Sequence, residues 1–392
     1  MKTIIITLLI LFMCVTLNAQ TSINSVLASI EEHNTTLKSL RESAEAQKLE
    51  NRTDIYLENP EVGFNYLWGN PSDIGKRTDI SVMQSFDMAT ITGAKRKVAD
   101  RQNVLVDWQY KADRMNILLE AKQYCIDLIY YNALKKELNL RLQHAETIAA
   151  GYEGRLNSGD VSRLEYNKVQ LNLSTVQGEI SRIDVERNVL LEQLKRLNGG
   201  TDILLEDDRY DEVLLPPYFD DWFEQAAEKN PVLAYARQEI EVSKQQVSLN
   251  KMKGLPTLSA GYMSEKLVGE HFQGLSVGIS IPLWENKNRV KQAKASVRAA
   301  ESRETDSRLQ FYNQLQILYN RTTGLKAASE KYRQSLITAN NTELLKKALD
   351  AGEISLLEYM VEMGLYYETI NQALETERDY HKAFAELSAI EL

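Results

Sequence analysis

The chain has 392 residues, of which 46 are Lys or Arg and 55 are Asp or Glu, for a formal net charge of −9. That balance excludes a general nucleic-acid binder, which needs a basic surface to neutralise phosphates. Seven prolines and eighteen glycines are few for this length, so long uninterrupted helices are expected.

The N-terminus sets the compartment. Met1-Lys2 is a short basic start, Ile4 to Leu17 is apolar, and Leu17-Asn18-Ala19 ends on a small residue. This pattern predicts a secretory signal peptide over 1–19. The alternative, an uncleaved anchor, has a run shorter than the roughly 20 apolar residues that span a bilayer. Cys14 leaves with that peptide; as a lipidation cysteine it lacks small residues before it. Only Cys125 then remains, and one thiol closes no internal bridge. No later stretch is apolar enough for a transmembrane helix. The mature chain is therefore either soluble outside the cytoplasm or held in a membrane by β-strands.

Ser22 to Leu57 reads as a helix, stopped by Asn59-Pro60, because proline disfavours helix at the residue before it. Val62, Phe64, Tyr66 and Trp68 then alternate with other residues, the period of a strand. Gly69 to Lys76 is a loop. Ile80, Val82 and Phe86 alternate again, with Gln84 as the exception. A proline-free stretch from Ile91 to Asn157 predicts one helix of about 100 Å. A glycine-containing reversal and a return helix to Leu197 follow. That return helix carries Val169, Leu173, Val176, Ile180, Ile183, Leu190, Leu194 and Leu197 in 4-3 alternation, with Arg187 the one polar member. Such heptads mean helix-on-helix packing.

The same order then recurs. Gly159-Asp160-Val161-Ser162-Arg163-Leu164-Glu165-Tyr166 returns as Gly352-Glu353-Ile354-Ser355-Leu356-Leu357-Glu358-Tyr359. Asn34 matches Asn230, Pro60 matches Pro256, and Ile80-Ser81-Val82 matches Leu275-Ser276-Val277. Two repeats result, 20–200 and 218–392, with a linker over 201–217. The second holds strands around Leu258, Ala260 and Tyr262 and around Val277, Ile279 and Ile281. Its long helix is expected from Asn286 to Asp350 and its return helix to Ile390. The second seam, Tyr366, Thr369, Ala373, Thr376, Tyr380, Ala383, Leu387 and Ile390, is weaker than the first. The second repeat is accordingly the one expected to move.

Four strands cannot close a barrel alone, and in lipid every backbone polar group must be satisfied. Several chains donating strands to one barrel meet that demand. Val, Ile, Phe, Tyr and Trp then face lipid, and Ser81, Ser85, Gly278 and Ser280 face a wet lumen. A soluble hairpin decoration on a coiled coil is the competing reading.

The duplication, Asn230-Pro231-Val232-Leu233, Leu255-Pro256-Thr257-Leu258-Ser259, Val277-Gly278-Ile279-Ser280-Ile281-Pro282-Leu283 and the two Gly-x-x-Ser-x-Leu-Glu turns carry a resemblance. The chain resembles the TolC-type outer-membrane efflux proteins over nearly its whole mature length. The resemblance implies a mainly α protein with transmembrane β: a long coiled-coil helical barrel, plus four strands per chain in a trimeric 12-stranded barrel. It implies an exit duct in the outer membrane, with an inner-membrane pump and a periplasmic adaptor as partners. Met83-Gln84-Ser85-Phe86 and Gly93-Ala94-Lys95-Arg96 look like the cation-efflux branch, so metal ions are one cargo and other small molecules another. A periplasmic adaptor or a soluble coiled-coil scaffold stays as the alternative function.

The two turns are the candidate sites. Gly159 and Gly352 suit left-handed helix ends, and Ser162 and Ser355 suit caps of the returning helices. Leu164 and Leu357 offer apolar contact, and the family's adaptor docking maps there. Glu165 and Glu358 match a family acidic gate, since a ring of carboxylates in a trimer selects cations. The match departs where a second acidic residue is expected, because Val361 stands there and Glu362 comes next; solvated helix-face glutamates are the alternative. Lys95, Arg96, Lys97, Lys287, Arg289 and Lys291, beside the strands, either meet lipid phosphates or form a solvated face. No catalytic constellation and no cofactor motif emerges, and His33, His144, His271 and His381 are scattered.

Overall fold

The structure, a computed structural model, describes residues 22–86 and 89–392, with the side chains of residues 54, 89 and 90 left aside. The expected signal peptide and Cys14 lie outside the described residues. Two compact units form. One takes the chain up to Lys38, Arg114–Trp222 and Gln314–Leu392; the other takes Ser39–Asp113 and Phe223–Asn313. The units cut across the two sequence repeats, each drawing on both.

The first half runs α1 (Ile23–His33), α2 (Thr35–Glu50), β1 (Glu61–Trp68), β2 (Lys76–Phe86), α3 (Ala89–Ser158) and α4 (Arg163–Leu197). The second runs α5 (Phe219–Lys229), α6 (Pro231–Met252), β3 (Thr257–Leu267), β4 (Glu270–Ser280), α7 (Arg289–Thr338), α8 (Thr342–Asp350) and α9 (Leu356–Leu387).

Two expectations need correction. The first helix does not run from Ser22 to Leu57; it breaks at Asn34 and stops at Glu50. Asn34 leaves the helical region at ψ 118°, and its Oδ1 accepts the Leu37 N–H at 2.8 Å. Its Nδ2 donates to the Leu197 carbonyl at 2.7 Å, so the buried amide is satisfied on both sides. Asn230 does the same before α6, accepting the Leu233 N–H at 2.9 Å. The sequence match between Asn34 and Asn230 thus marks a duplicated N-cap. The second long helix is not continuous either. It breaks between Thr338 and Thr342, where Asn340 Oδ1 takes the Thr342 N–H and hydroxyl. Short polar side chains that bond their own backbone compete with helix in this way.

The unit built from both chain ends packs Ile30 of α1, Cys125, Leu128 and Ile129 of α3, Leu194 and Leu197 of α4, and Leu205 of the linker into one cluster. Burial pushes the Cys125 thiol up to about 12, so it behaves as an apolar side chain. The first seam is buried at Val169, Val176, Ile183, Leu194 and Leu197. Arg187 donates to Asn132 Oδ1 at 2.8 Å, and Asn132 in turn donates to the Leu205 and Asp207 carbonyls of the linker. Tyr210 straps the linker further, bonding the Ile126 carbonyl and stacking on His381 at 4.2 Å. Burial, with Lys122 and Arg333 nearby, lowers the His381 imidazole to about 4, so it packs as a neutral ring. Gly199, at φ +63°, lies against the His33 carbonyl where a Cβ would collide.

The other unit carries the sheet, four antiparallel strands in the order β1-β2-β3-β4. Its register sorts the residues cleanly. Val62 pairs Val82, Val82 pairs Tyr262, and Tyr262 pairs Leu275; Phe64 pairs Ile80; Phe86 pairs Leu258, and Leu258 pairs Ile279. All of these share one face, and all are exposed within the chain. Ser81, Ser85, Gly278 and Ser280 share the other, with Gly63 against Ser81 and Gly278 against Ser259. Arg77 bridges Asp79 at 2.8 Å and Glu265 at 3.1 Å on that polar face. The alternation holds for the predicted residues of each strand; farther from the helices, Leu67, Met263 and Phe272 fall on the polar face and Ser264, Lys266 and Gln273 on the apolar one. Beneath the sheet, Ile91, Ala94 and Val98 of α3 pack on Leu249 of α6. Among the described residues no helix is long and apolar enough to cross a membrane, which says nothing of the strands.

Candidate functional site

The candidate site is the pair of turns joining α3 to α4 and α8 to α9, which lie in the same unit. Their backbones are copies. Gly159 N–H bonds the Leu156 carbonyl at 3.1 Å and Asp160 N–H bonds Arg155 at 2.8 Å. Gly352 N–H bonds Leu349 at 3.1 Å and Glu353 N–H bonds Ala348 at 2.9 Å. Both glycines are left-handed, at φ +79° and +74°. This paired bonding closes the orphan carbonyls of a helix end and requires a residue without a Cβ penalty.

Each turn then opens the return helix with a reciprocal cap. Ser162 Oγ accepts the Glu165 N–H at 3.3 Å, while Glu165 Oε2 accepts the Ser162 N–H at 2.8 Å. Ser355 Oγ accepts the Glu358 N–H at 3.2 Å, and Glu358 Oε2 accepts the Ser355 N–H at 2.8 Å. The serine backbone N–H, then the serine side chain, hold both carboxyls below the usual carboxylate range. From the sequence these glutamates fit either a gate or a solvated surface. The reciprocal cap was not recognised there, although Ser-x-x-Glu before an apolar run is its signal.

Beyond the cap, the two turns differ. Leu164 and Leu357 are 74% and 57% exposed, as an apolar contact pair requires. Beside Leu357, Leu356 is buried in a cluster with Ala149, Tyr152 and Val169. The matching position in the first turn is Arg163, which is exposed. So the second turn is pinned by one leucine to a coiled coil made of the first repeat. The apolar cluster joins the two turns, while each glutamate bonds its own serine.

A second attachment was not legible in the sequence. Arg141 of α3 is 5% exposed; it bonds Glu137 at 3.1 Å and Asn371 Oδ1 of α9 at 2.8 Å, and stacks on Tyr367 at 4.4 Å. His144 faces the Tyr367 hydroxyl at 3.3 Å. Beside this attachment lies a cavity of about 450 Å³ between α3, α8 and α9, lined by Ile148, Tyr152, Arg155, Leu349 and Met363 among others. Helix α8 has no buried residue. Of the other histidines, His33 bonds Ser29 and His271 bonds Ser264, both locally. Among the described residues no group of three or more His, Cys, Asp or Glu is placed to hold a metal ion.

Comparison with known proteins agrees with this architecture. Residues 222–390 match the family model for outer membrane efflux proteins. The alkaline protease secretion protein AprF of Pseudomonas aeruginosa is 23% identical over 325 residues, covering 77% of this chain and 66% of AprF, just under two thirds of its length. Among solved structures, a membrane protein from Pseudomonas aeruginosa superposes with a TM-score of 0.77 at 14% identity, covering 95% of this chain and 90% of that one. The Campylobacter jejuni CmeC outer membrane channel gives 0.74 at 14% identity, covering 94% and 85%. At that identity the structures speak for the fold. The match to the outer membrane efflux protein family model thus falls on the second repeat, whose strand pair, long helix and capped return helix the first repeat duplicates.

Proposed function

We propose that the protein is the outer-membrane exit duct of a tripartite export system, working as a homotrimer. The sheet is the observation that carries this reading. Toward the helices one face is apolar and exposed, through Val62, Val82, Phe86, Leu258, Tyr262, Leu275, Val277 and Ile279. The other carries Ser81, Ser85, Gly278 and Ser280, with Leu67, Met263 and Phe272 as apolar exceptions. Strands β1 and β4 each have one neighbour among the described residues. A face of that kind is stable against lipid, and its two edges need partners. An even number of antiparallel strands per copy lets β4 of one chain meet β1 of the next in the same antiparallel sense. Three copies make twelve strands around a wet lumen.

The helical part then reaches into the periplasm, where an adaptor docks on the turns through Leu164 and Leu357 and an inner-membrane pump supplies cargo. The name of AprF favours a secreted polypeptide as one cargo; the resemblance carried by the sequence motifs favours small molecules, metal cations included. Membrane fractionation followed by sizing in detergent tests the reading. A trimer in the outer-membrane fraction is expected, and a soluble monomer overturns it in favour of an adaptor or scaffold.

Glu165 and Glu358 are proposed to line the narrow end as carboxylate rings. Glu358→Ala should raise single-channel conductance and relax cation block in planar bilayers. Ser355→Ala removes the cap but keeps the charge, and should leave cation block in place. Equal effects from both would assign the role to the cap and reject the ring.

A further inference from the structure

The first turn of a helix carries partial positive charge, which favours acidic residues there. Neither α3 nor α7 has an acidic residue in its first turn. Helices α1, α2 and α6 also lack one, whereas Asp220 and Asp221 open α5, Glu343 opens α8, and Glu165 and Glu358 open the return helices. At α3 the cations Arg96 and Lys97 are exposed; at α7 so are Lys287, Arg289 and Lys291. Among the described residues, Arg289 pairs loosely with Glu285 at 3.8 Å and offsets them in part. In a chain of net charge −9, this concentration does not come from composition.

The arrangement is duplicated. Arg96 and Lys291 stand 195 positions apart, the spacing that relates Ile80 to Leu275. Two places further on, Val98 and Ala293 are both buried, so the cations hold the same exposed side of each helix. The level is fixed by the sheet. The register aligns Phe86, Leu258 and Ile279, and α3 and the segment leading to α7 leave from that end. Between strand and cations, Ile281, Leu283 and Trp284 are exposed, Trp284 at 80%, and Tyr56 and Leu57 are exposed at the foot of β1. The order is therefore apolar face, aromatic fringe, cations. A bilayer leaflet presents hydrocarbon, interface and phosphate in that order.

We infer that Arg96, Lys97, Lys287, Arg289 and Lys291 form a collar that binds the phosphate groups of anionic phospholipids in the leaflet on the helical side of the sheet. Lys287, Arg289 and Lys291 stand at the start of α7, where the positive helix end adds to their charge, and Arg96 and Lys97 lie about two turns into α3. A net negative headgroup offsets these cations, and a zwitterionic headgroup supplies no net charge. The inference rests on the reading of the sheet as membrane-spanning, and the test separates the two.

The full chain is reconstituted into vesicles of phosphatidylethanolamine with a minor share of phosphatidylglycerol, extracted gently, and its retained lipids identified by mass spectrometry. Wild type should retain phosphatidylglycerol above its bulk share. The variant Arg96→Gln/Lys97→Gln/Lys287→Gln/Lys291→Gln should lose that enrichment by roughly tenfold, with insertion and trimer size unchanged. Wild type that inserts but shows no enrichment overturns the collar, as does a variant that keeps it. Failure of wild type to insert into any vesicle rejects the membrane-spanning sheet instead.

Discussion

The two turns share a backbone and a cap, yet they are held differently. The first joins α3, unbroken over 70 residues, to α4, whose seam buries Val169, Val176 and Ile183. The second comes after the break at Asn340 and the unburied helix α8, and it leads into α9, whose seam buries little between Met363 and Tyr380. What holds it is a leucine, Leu356, and a buried arginine, Arg141, both bonding it to the first repeat. Duplication has kept the turn chemistry and let the packing diverge. Further along, α9 is tied to α3 again, with Lys382 bonding Asp127 and Leu374 packed near Leu134 and Leu138, so the sparse attachment is confined to the turn end. A rigid half beside a half sparsely held at its tip is the arrangement a tunnel end needs if one part is to open.

The largest expected effect comes from the arginine. Arg141→Ala strands Glu137 and the polar groups of α9 without their cation, and breaking a buried pair costs about 3 kcal/mol. Thermal unfolding in detergent should show the loss, and conductance should rise as α9 is freed. Leu356→Ala comes next, at about 2–3 kcal/mol for a buried leucine. Arg163→Ala, at the matching place in the first turn, should be near neutral by the same measurement. Equal costs for these two would erase the asymmetry.

The caps should behave alike. Ser162→Ala and Ser355→Ala each remove one reciprocal bond, worth about 1 kcal/mol at a helix start. Hydrogen exchange at the two turns should speed up to the same degree. The smallest effect is with pH. Both glutamates have a carboxyl held below its unfolded value, so the caps are fully formed above the unfolded pKa of about 4.3. They weaken as pH falls through the folded pKa, so the protection of amides at both turns, relative to the intrinsic exchange rate at each pH, should fall below about pH 4 and stay level above about pH 6.

Much of this was legible in the sequence because the governing signals are local. The strand faces come from a period of two, and Val62, Phe64, Ile80 and Val82 fall together as the alternation requires. The turns come from Gly159, Gly352 and the capping serines. The breaks at Asn34 and Asn340 were missed because an asparagine caps or continues a helix according to what its amide meets. Asn34 meets Leu197, 163 residues away. Arg141 was missed for the same reason: among many helical arginines, only the partner across the bundle distinguishes it. For the glutamates, the sequence fits a gate or a solvated face, and the structure adds the reciprocal cap to the serine three residues back.

Single-channel conductance of a cross-linked trimer tests the account most directly. With Cys125→Ser as background, Val169→Cys and Leu356→Cys place two thiols in the cluster that pins the second turn. Oxidised, the channel should stay in its low-conductance state; reduced, it should open as readily as the background protein. Equal opening in both states would contradict the claim that the second repeat is the part that moves.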